Sequence, residues 1–291
     1  MRNPPLFQSV LLSLTIITGI WVASQVAAAL PDDDLREDNP LQCNNQDFSE
    51  SGILEETAAL SESDSACWWL SSGAYFITDG GVGRTVHGEL PVDSPWYERF
   101  RRSSPGASDN GFHPQNIFRL VAKGSWQNLR QEVYFRIVRD NLSESPDRNQ
   151  SNGLLLMQRY LDSDNLYYTG IRVDGAAVIK KKINGTYYQV AYQKIFEGEY
   201  DRADSPNLLP KQTWIGVRSE VETKEDGTVE IRLFIDRNNT SIWELVLVGI
   251  DDGTSFGGEP LTQSGHAGIR TDFMDVEFDN YKVTSPGDKL Q

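Results

Sequence analysis

The chain has 291 residues, with 42 Asp and Glu against 27 Lys and Arg and a formal net charge of −15. That acidity argues against a nucleic-acid partner, because phosphate binding needs clustered Lys and Arg to release counterions, and equally against adhesion to an anionic membrane face. The length suits one large β domain, and the two cysteines, Cys43 and Cys67, allow a single bridge.

Residues 1–28 read as a signal peptide. Arg2 supplies the positive start, an apolar run follows over 10–26, and Val26, Ala27, Ala28 and Ala29 offer small side chains for cleavage. At about 17 residues the run sits at the lower edge of a spanning helix, so an uncleaved anchor is the alternative. Residues 29–42 are an acidic, Pro-bounded leader. A secreted, periplasmic or extracellular location follows, and there Cys43 and Cys67 are expected to pair. The closed loop of roughly 24 residues is worth about 3 kcal/mol in the chain-entropy model.

From residue 43 to 285 the pattern is that of short strands, and 286–291 form a tail. Asp47, Phe48 and Ser49 open the first strand, and 53–65 have the composition of a short surface helix or loop. Strands are expected at 68–70, 74–78 and 85–90, with a turn at Asp79-Gly80-Gly81. Segment 93–114 reads as a long irregular loop, a feature that is often functional. Its Trp96, Tyr97, Arg99, Phe100, Arg101 and Arg102 either line a groove or pack the loop onto itself. Strands follow at 116–121 and 132–139, then a meander over 152–193 whose runs are separated by Asp-Ser-Asp-Asn, Asp174-Gly175 and Asn184-Gly185. The last two dipeptides supply the positive φ of tight hairpins. Strands at 213–221, 229–236, 242–250, 267–271 and 275–283 complete the chain. Many short strands with almost no helical pattern predict an all-β, antiparallel two-sheet sandwich in one domain.

Alternation assigns faces. Val133, Phe135 and Ile137 point inward, leaving Glu132, Tyr134 and Arg136 outside; Ile215 and Val217 do the same for Trp214, Arg218 and Glu220. Ile171 and Val173 place Tyr168 and Arg172 on a polar side. In 187–193, Tyr188, Val190 and Tyr192 are expected inward, and Tyr187, Gln189 and Gln193 outward. Lys180, Lys181 and Lys182 are consecutive, so at least one faces the interior or a strand end.

These residues resemble a concanavalin A-like, laminin G-like jelly roll. The marks are Asn165-Leu166-Tyr167-Tyr168 leading to Gly170-Ile171-Arg172-Val173-Asp174-Gly175, then Val178-Ile179-Lys180-Lys181-Lys182. Gly268-Ile269-Arg270-Thr271-Asp272 and Phe278-Asp279-Asn280-Tyr281-Lys282-Val283 close the pattern. In that superfamily the F-D-N strand pairs beside the first strand, here Asp47-Phe48. The fold hosts lectins, glucanases, lyases and adhesion modules, so the resemblance implies an architecture more than an activity.

Ready-made catalytic motifs are absent. The chain has no H-E-x-x-H, no G-x-S-x-G elbow and no complete dinucleotide fingerprint around Gly81-Val82-Gly83, which leaves no nucleotide partner. Asp275, Glu277 and Asp279 share one strand face at a spacing workable for paired carboxylates, but their D-x-E-x-D order differs from the glucanase signature. Asp47 and Asp279 could meet at the paired termini and hold a structural calcium ion; no other cofactor is expected.

The chain also shows a partial likeness to alginate-lyase-type polysaccharide lyases. Such enzymes carry R-x-E-x-R and K-x-G-x-Y-x-Q strands. Here Arg130-Gln131-Glu132-Val133-Tyr134 has Tyr in place of the second Arg. In the segment from Lys182 to Gln189, Gly185, Tyr187 and Gln189 match while Lys182 lies one residue too far from the glycine. The family's Q-x-H element is missing. The likeness implies Arg130 and Arg172 as cations that neutralise a uronate carboxylate, Tyr187 as acid-base and Gln189 as amide. The same surface residues, with Tyr134, Arg136, Tyr168, Lys182, Trp214 and Arg218, could instead bind a polysaccharide by stacking and hydrogen bonding without chemistry. Three readings therefore stand: a monomeric glycan-binding protein, a lyase acting by β-elimination, or a protein-adhesion module with an exposed apolar patch near Trp96 and Tyr97.

Overall fold

The Gly-containing turns set the hairpins. Gly80 and Gly81 (φ 59° and 83°) join Asp79 to its partner Val82, and Asn184 and Gly185 (φ 49° and 79°) join Ile183 to Thr186. Each is a two-residue loop of the kind that matches strand twist. The computed structural model describes residues 43–285. The expected signal peptide, leader and tail lie outside them. Among the described residues no helix is long and apolar enough to cross a membrane.

The strands are β1 (Asn45–Gln46), β2 (Gly52–Glu55), β3 (Trp68–Ser72), β4 (Tyr75–Asp79), β5 (Val82–Arg84), β6 (Phe118–Ala122), β7 (Leu129–Asp140) and β8 (Gly153–Asp162). After these come β9 (Asn165–Arg172), β10 (Ala176–Ile183), β11 (Thr186–Lys194), β12 (Trp214–Thr223), β13 (Val229–Asp236), β14 (Glu244–Asp251), β15 (His266–Thr271) and β16 (Met274–Thr284). An α-helix, α1 (Pro95–Ser103), interrupts them. A nine-stranded sheet has the order β14-β13-β12-β7-β16-β5-β4-β2, with β1 also on β16, and a seven-stranded sheet runs β11-β10-β9-β8-β15-β6-β3. The named strand pairs are all antiparallel, and the architecture is the expected two-sheet jelly-roll sandwich.

The core lies between the sheets. Val133, Phe135, Ile137, Ile215, Val217, Ile231 and Leu233 from one sheet meet Leu120, Leu154, Leu156, Ile171, Ile179 and Ile269 from the other, all 0–1% exposed. Burial of this apolar surface is the main stabilising term. The Cys43–Cys67 disulfide forms as expected and ties the lead-in of β1 to that of β3.

Lys181 is the lysine of the triplet that turns inward. It is fully buried, with its ammonium 2.9 Å from Asp251, which also accepts from Tyr167 Oη at 2.6 Å. Its remaining donors bond to the carbonyls of Gly258 and Glu259. A buried charge persists only when so fully partnered, and this network anchors the loop after β14.

Four expectations are corrected. Residues 53–65 hold β2 and a 3-10 turn at Leu60–Glu62. The strand expected at 85–90 lies at Val82–Arg84. The segment read as an irregular loop contains α1. Ser94 caps it with a side-chain acceptor for Trp96 N–H, Pro95 sits in the first turn, and Trp96 and Phe100 share its buried face. Arg99 reaches Glu56 and lies over Trp96, and Arg101 and Arg102 pair with Glu98 along the exposed side, so the segment is packed down by its own aromatics. Finally, a bulge on β11 at Val190, opposite Ile179 and Lys180, breaks the alternation. Tyr188 and Val190 face inward, but Tyr192 turns out beside Asp174 and Arg172.

Candidate functional site

The outer face of the seven-stranded sheet is built from two cross-strand rows. One runs Arg119, Arg270, Leu155, Gly170, Val178, Tyr192. The next runs Val121, Gly268, Met157, Tyr168, Lys180, Gln189. Glycines 170 and 268 put no side chain on this face, and the Met157 side chain fills the space beside Gly268. Tyr187, one step further along β11, leans over it.

Tyr187 stacks on Tyr168 with centroids 6.1 Å apart and planes 25° apart. Arg270 Nη1 donates to Tyr187 Oη at 3.2 Å, and the same guanidinium lies 5.1 Å from the centre of the Tyr168 ring. Three strands separate β11 from β15, a span of about 19 Å on a flat sheet. Side chains standing upright on a flat sheet could not close it, so this face is concave. Above it the 141–152 loop forms a wall, giving a cleft of about 480 Å³ lined by Arg119, Asp147, Asn149, Ser151, Asn152, Leu155, Tyr168, Lys180, Tyr187, Arg270 and Asp272.

The electrostatics follow from these contacts. Arg270 Nε donates to Asp272 at 2.9 Å, and Asp272 keeps its other carboxylate oxygen unpartnered. Burial lowers the Arg270 pKa, but Asp272 and the two tyrosines outweigh it and raise it. For Tyr187, burial pushes the phenol up, yet Arg270, Lys182 and Arg119 together bring it below its ordinary value. Lys180 forms no hydrogen bond or ion pair through its ammonium with any described residue. Burial, with the like charges of Arg172 and Arg270, brings it down to about 8. Arg119 Nε is buried and without a partner.

The residues expected from the sequence fall on two different faces. Tyr187, Gln189, Tyr168, Lys182 and Arg172 share the cleft-bearing face. Of these Arg172 is engaged by Asp174 at 2.8 Å, and Lys182 by Asp164 at 3.0 Å while lying over Tyr187. Arg130, Tyr134, Arg136, Trp214 and Arg218 are on the outside of the nine-stranded sheet. Arg130 therefore cannot act with Tyr187, and the four-residue set implied by the lyase likeness is corrected: β7 and β11 belong to opposite sheets. On its own face Arg130 pairs with Glu220, Arg218 with Glu132 and Arg136 with Glu277, and Tyr134 donates to Asp236 at 2.9 Å. Sequence reasoning missed Arg119, Lys180, Arg270 and Asp272. Alternation about Phe118 and Leu120, or about Ile269 and Thr271, turns Arg119 and Arg270 outward; only the sheet order sets β15 beside β8 and β6 beside β15, on the face that Tyr168 and Tyr187 share.

The carboxylate strand is also occupied. Asp275 is buried and accepts from Gly88 N–H, Gln115 and Arg139, and Glu277 is held by Arg136. Asp279 is raised by burial, with the nearby Asp47 adding to it. Among the described residues no three His, Cys, Asp or Glu side chains cluster as a metal site would require.

No family model matches the chain, and no curated protein matches it. Solved structures with a similar shape include a carbohydrate-binding module, CBM66, from Bacillus subtilis: 16% identity, TM-score 0.40, 58% of this chain and 83% of the module. A GH43 protein, BlXynB, from Bacillus licheniformis has 10% identity and TM-score 0.44, with 84% of this chain spanning 39% of that one. The β-glucanase of Bacillus licheniformis has 10% identity and TM-score 0.39 over 81% of this chain and 96% of the enzyme.

Proposed function

We propose that the chain is an exported glycan-binding protein and that the cleft on the seven-stranded sheet is its site. The observation that carries this reading is Tyr187, half exposed and stacked on the buried Tyr168 in a concave, polar-walled cleft. Sugar rings present apolar C–H faces that aromatic rings cover, and hydroxyls that need donors and acceptors. Asn149, Ser151 and Asn152 on the wall offer such groups. The disulfide suits an oxidising compartment. Retention on immobilised polysaccharides tests the reading: binding that falls in Tyr187→Ala supports it, and binding untouched by that change places the site elsewhere.

One observation favours a second reading, β-elimination on a uronate polymer. Tyr187 has its phenol lowered and held by Arg270. As a phenolate it would take the proton α to the uronate carboxyl, the electron pair would form the ring double bond, and the glycosidic oxygen would leave with the proton handed on by Tyr187. No water is consumed. Incubation with uronate polysaccharides, followed by the ultraviolet absorbance of unsaturated ends, separates the two. A rising signal lost in Tyr187→Phe makes the protein a lyase, and a flat trace with retention makes it a binder.

A further inference from the structure

The cleft has an unusual charge arrangement for so acidic a protein. Its two cations without a carboxylate partner, Arg119 on β6 and Lys180 on β10, stand on opposite banks, with β15, β8 and β9 between them. Arg270, in the middle, is already tied to Asp272 and Tyr187. The lining also contains the carboxylate of Asp147, which sits exposed on the rim. The buried Nε of Arg119 has no acceptor in the protein, so the half-buried guanidinium that carries it keeps an unmet demand for an anion. A lysine held among like charges carries the same demand for an anion. Because the chain as a whole carries −15, its long-range field repels polyanions. Attraction at this cleft must therefore come from local cations.

Resting on the glycan reading above, we infer that the ligand is an acidic polysaccharide lying across the strands, with oxyanion substituents of separate sugar units meeting Arg119 on one bank and Lys180 on the other. The shared chemistry is an oxyanion on the sugar, whether a carboxylate or a sulfate ester. Charge-assisted hydrogen bonds of this kind are the strong ones. The half-exposed ring of Tyr187, stacked on Tyr168 between the banks, then covers the ring of an intervening unit.

The test is affinity electrophoresis or calorimetry of the whole mature protein against polygalacturonate and alginate, a sulfated galactan, and neutral mannan and β-glucan. The expected result is binding of one acidic class, an approximately tenfold weakening in each of Arg119→Gln and Lys180→Gln, and restoration in Lys180→Arg. Which acidic class binds identifies the oxyanion. Unchanged thermal unfolding in both Gln variants separates lost contacts from lost fold; if either variant unfolds, Arg119→Lys and Lys180→Arg replace it and must keep the acidic preference. Equal binding of neutral and acidic polymers, or acidic binding indifferent to both variants, overturns the inference while leaving a glycan site in place. A free uronic acid monosaccharide competing as well as the polymer overturns the two-bank arrangement. Binding of no glycan at all overturns the underlying reading as well.

Discussion

The two outer faces of this sandwich are built by the same rule and differ in what their charges do. On the nine-stranded face Arg130, Arg232 and Lys224 share Glu220, Glu230 and Glu222, Arg218 holds Glu132, and Arg136 holds Glu277. Its aromatics are likewise engaged: Trp214 lies under Arg136, and Trp243 lies under Arg218 and beside Tyr134. On the seven-stranded face the sheet is concave, two cations have no carboxylate partner, and two tyrosines stack with one of them half exposed. Outward-facing Arg, Tyr and Trp are thus a poor guide to a site. Whether their partners are already inside the protein is the better one.

The largest expected effect separates two lysines adjacent in sequence. Lys181→Met leaves Asp251 buried without its cation and should cost about 3–5 kcal/mol in denaturant unfolding. Lys180→Met removes a charge held against its own desolvation and should leave stability unchanged or slightly raised. If both variants unfold alike, the assignment of one lysine to the core and one to the cleft fails.

Next comes a contrast between aromatic residues. Tyr187→Ala should weaken glycan retention about fivefold, the usual worth of one aromatic stacking contact. Trp214→Ala, on the other face, should leave retention unchanged although it exposes more apolar surface. Retention lost in Trp214→Ala alone would move the site to the nine-stranded sheet.

A smaller effect concerns pH. In the fold the Lys180 ammonium titrates near 8, because burial and the charges of Arg172 and Arg270 outweigh Asp272 and Asp174; β11 sets only the neutral Gln189 opposite it. Its ordinary value is about 10.4. Between these values the unfolded chain holds more protons than the fold, so this group's contribution to stability rises with pH there. Binding of an oxyanion needs the charged amine, so affinity should fall as pH climbs through about 8. In Lys180→Arg that fall should vanish. If it persists in the arginine variant, the titrating group is Tyr187, whose phenol is also lowered.

Much of the fold was legible because its signals are local. The turns at Gly80-Gly81 and Asn184-Gly185, and the alternation of Val133, Phe135, Ile215 and Val217, need nothing beyond the chain itself. The helix at Pro95 carried its own signature in Ser94, Pro95 and the spacing of Trp96 and Phe100, outweighed by the surrounding Ser, Pro and Gly. The bulge at Val190 leaves no such mark, so alternation alone puts Tyr192 on the wrong face. The site is half legible: motif and alternation single out Tyr187, Tyr168 and Gln189. Arg270 and Arg119 become their neighbours only through the order β11-β10-β9-β8-β15-β6, which no local pattern encodes. For the same reason Arg130 looked like a partner of Tyr187 when the sheets hold them on opposite sides of the core.

The smallest effect is the one that the paired face predicts. Arg130 donates to Glu220 at 2.7 Å, and both side chains remain partly exposed. Exposed pairs of this type contribute about 0.2–1 kcal/mol, and Glu220 also has Arg232 at 3.8 Å to take up its charge. Arg130→Gln should therefore shift unfolding by less than about 1 kcal/mol, and a double-mutant cycle with Glu220→Gln should return a coupling in the same range. Glycan retention should not change in any member of the cycle. A variant whose fold holds while retention falls would show the nine-stranded face contacting ligand after all, and would erase the distinction drawn between the two faces.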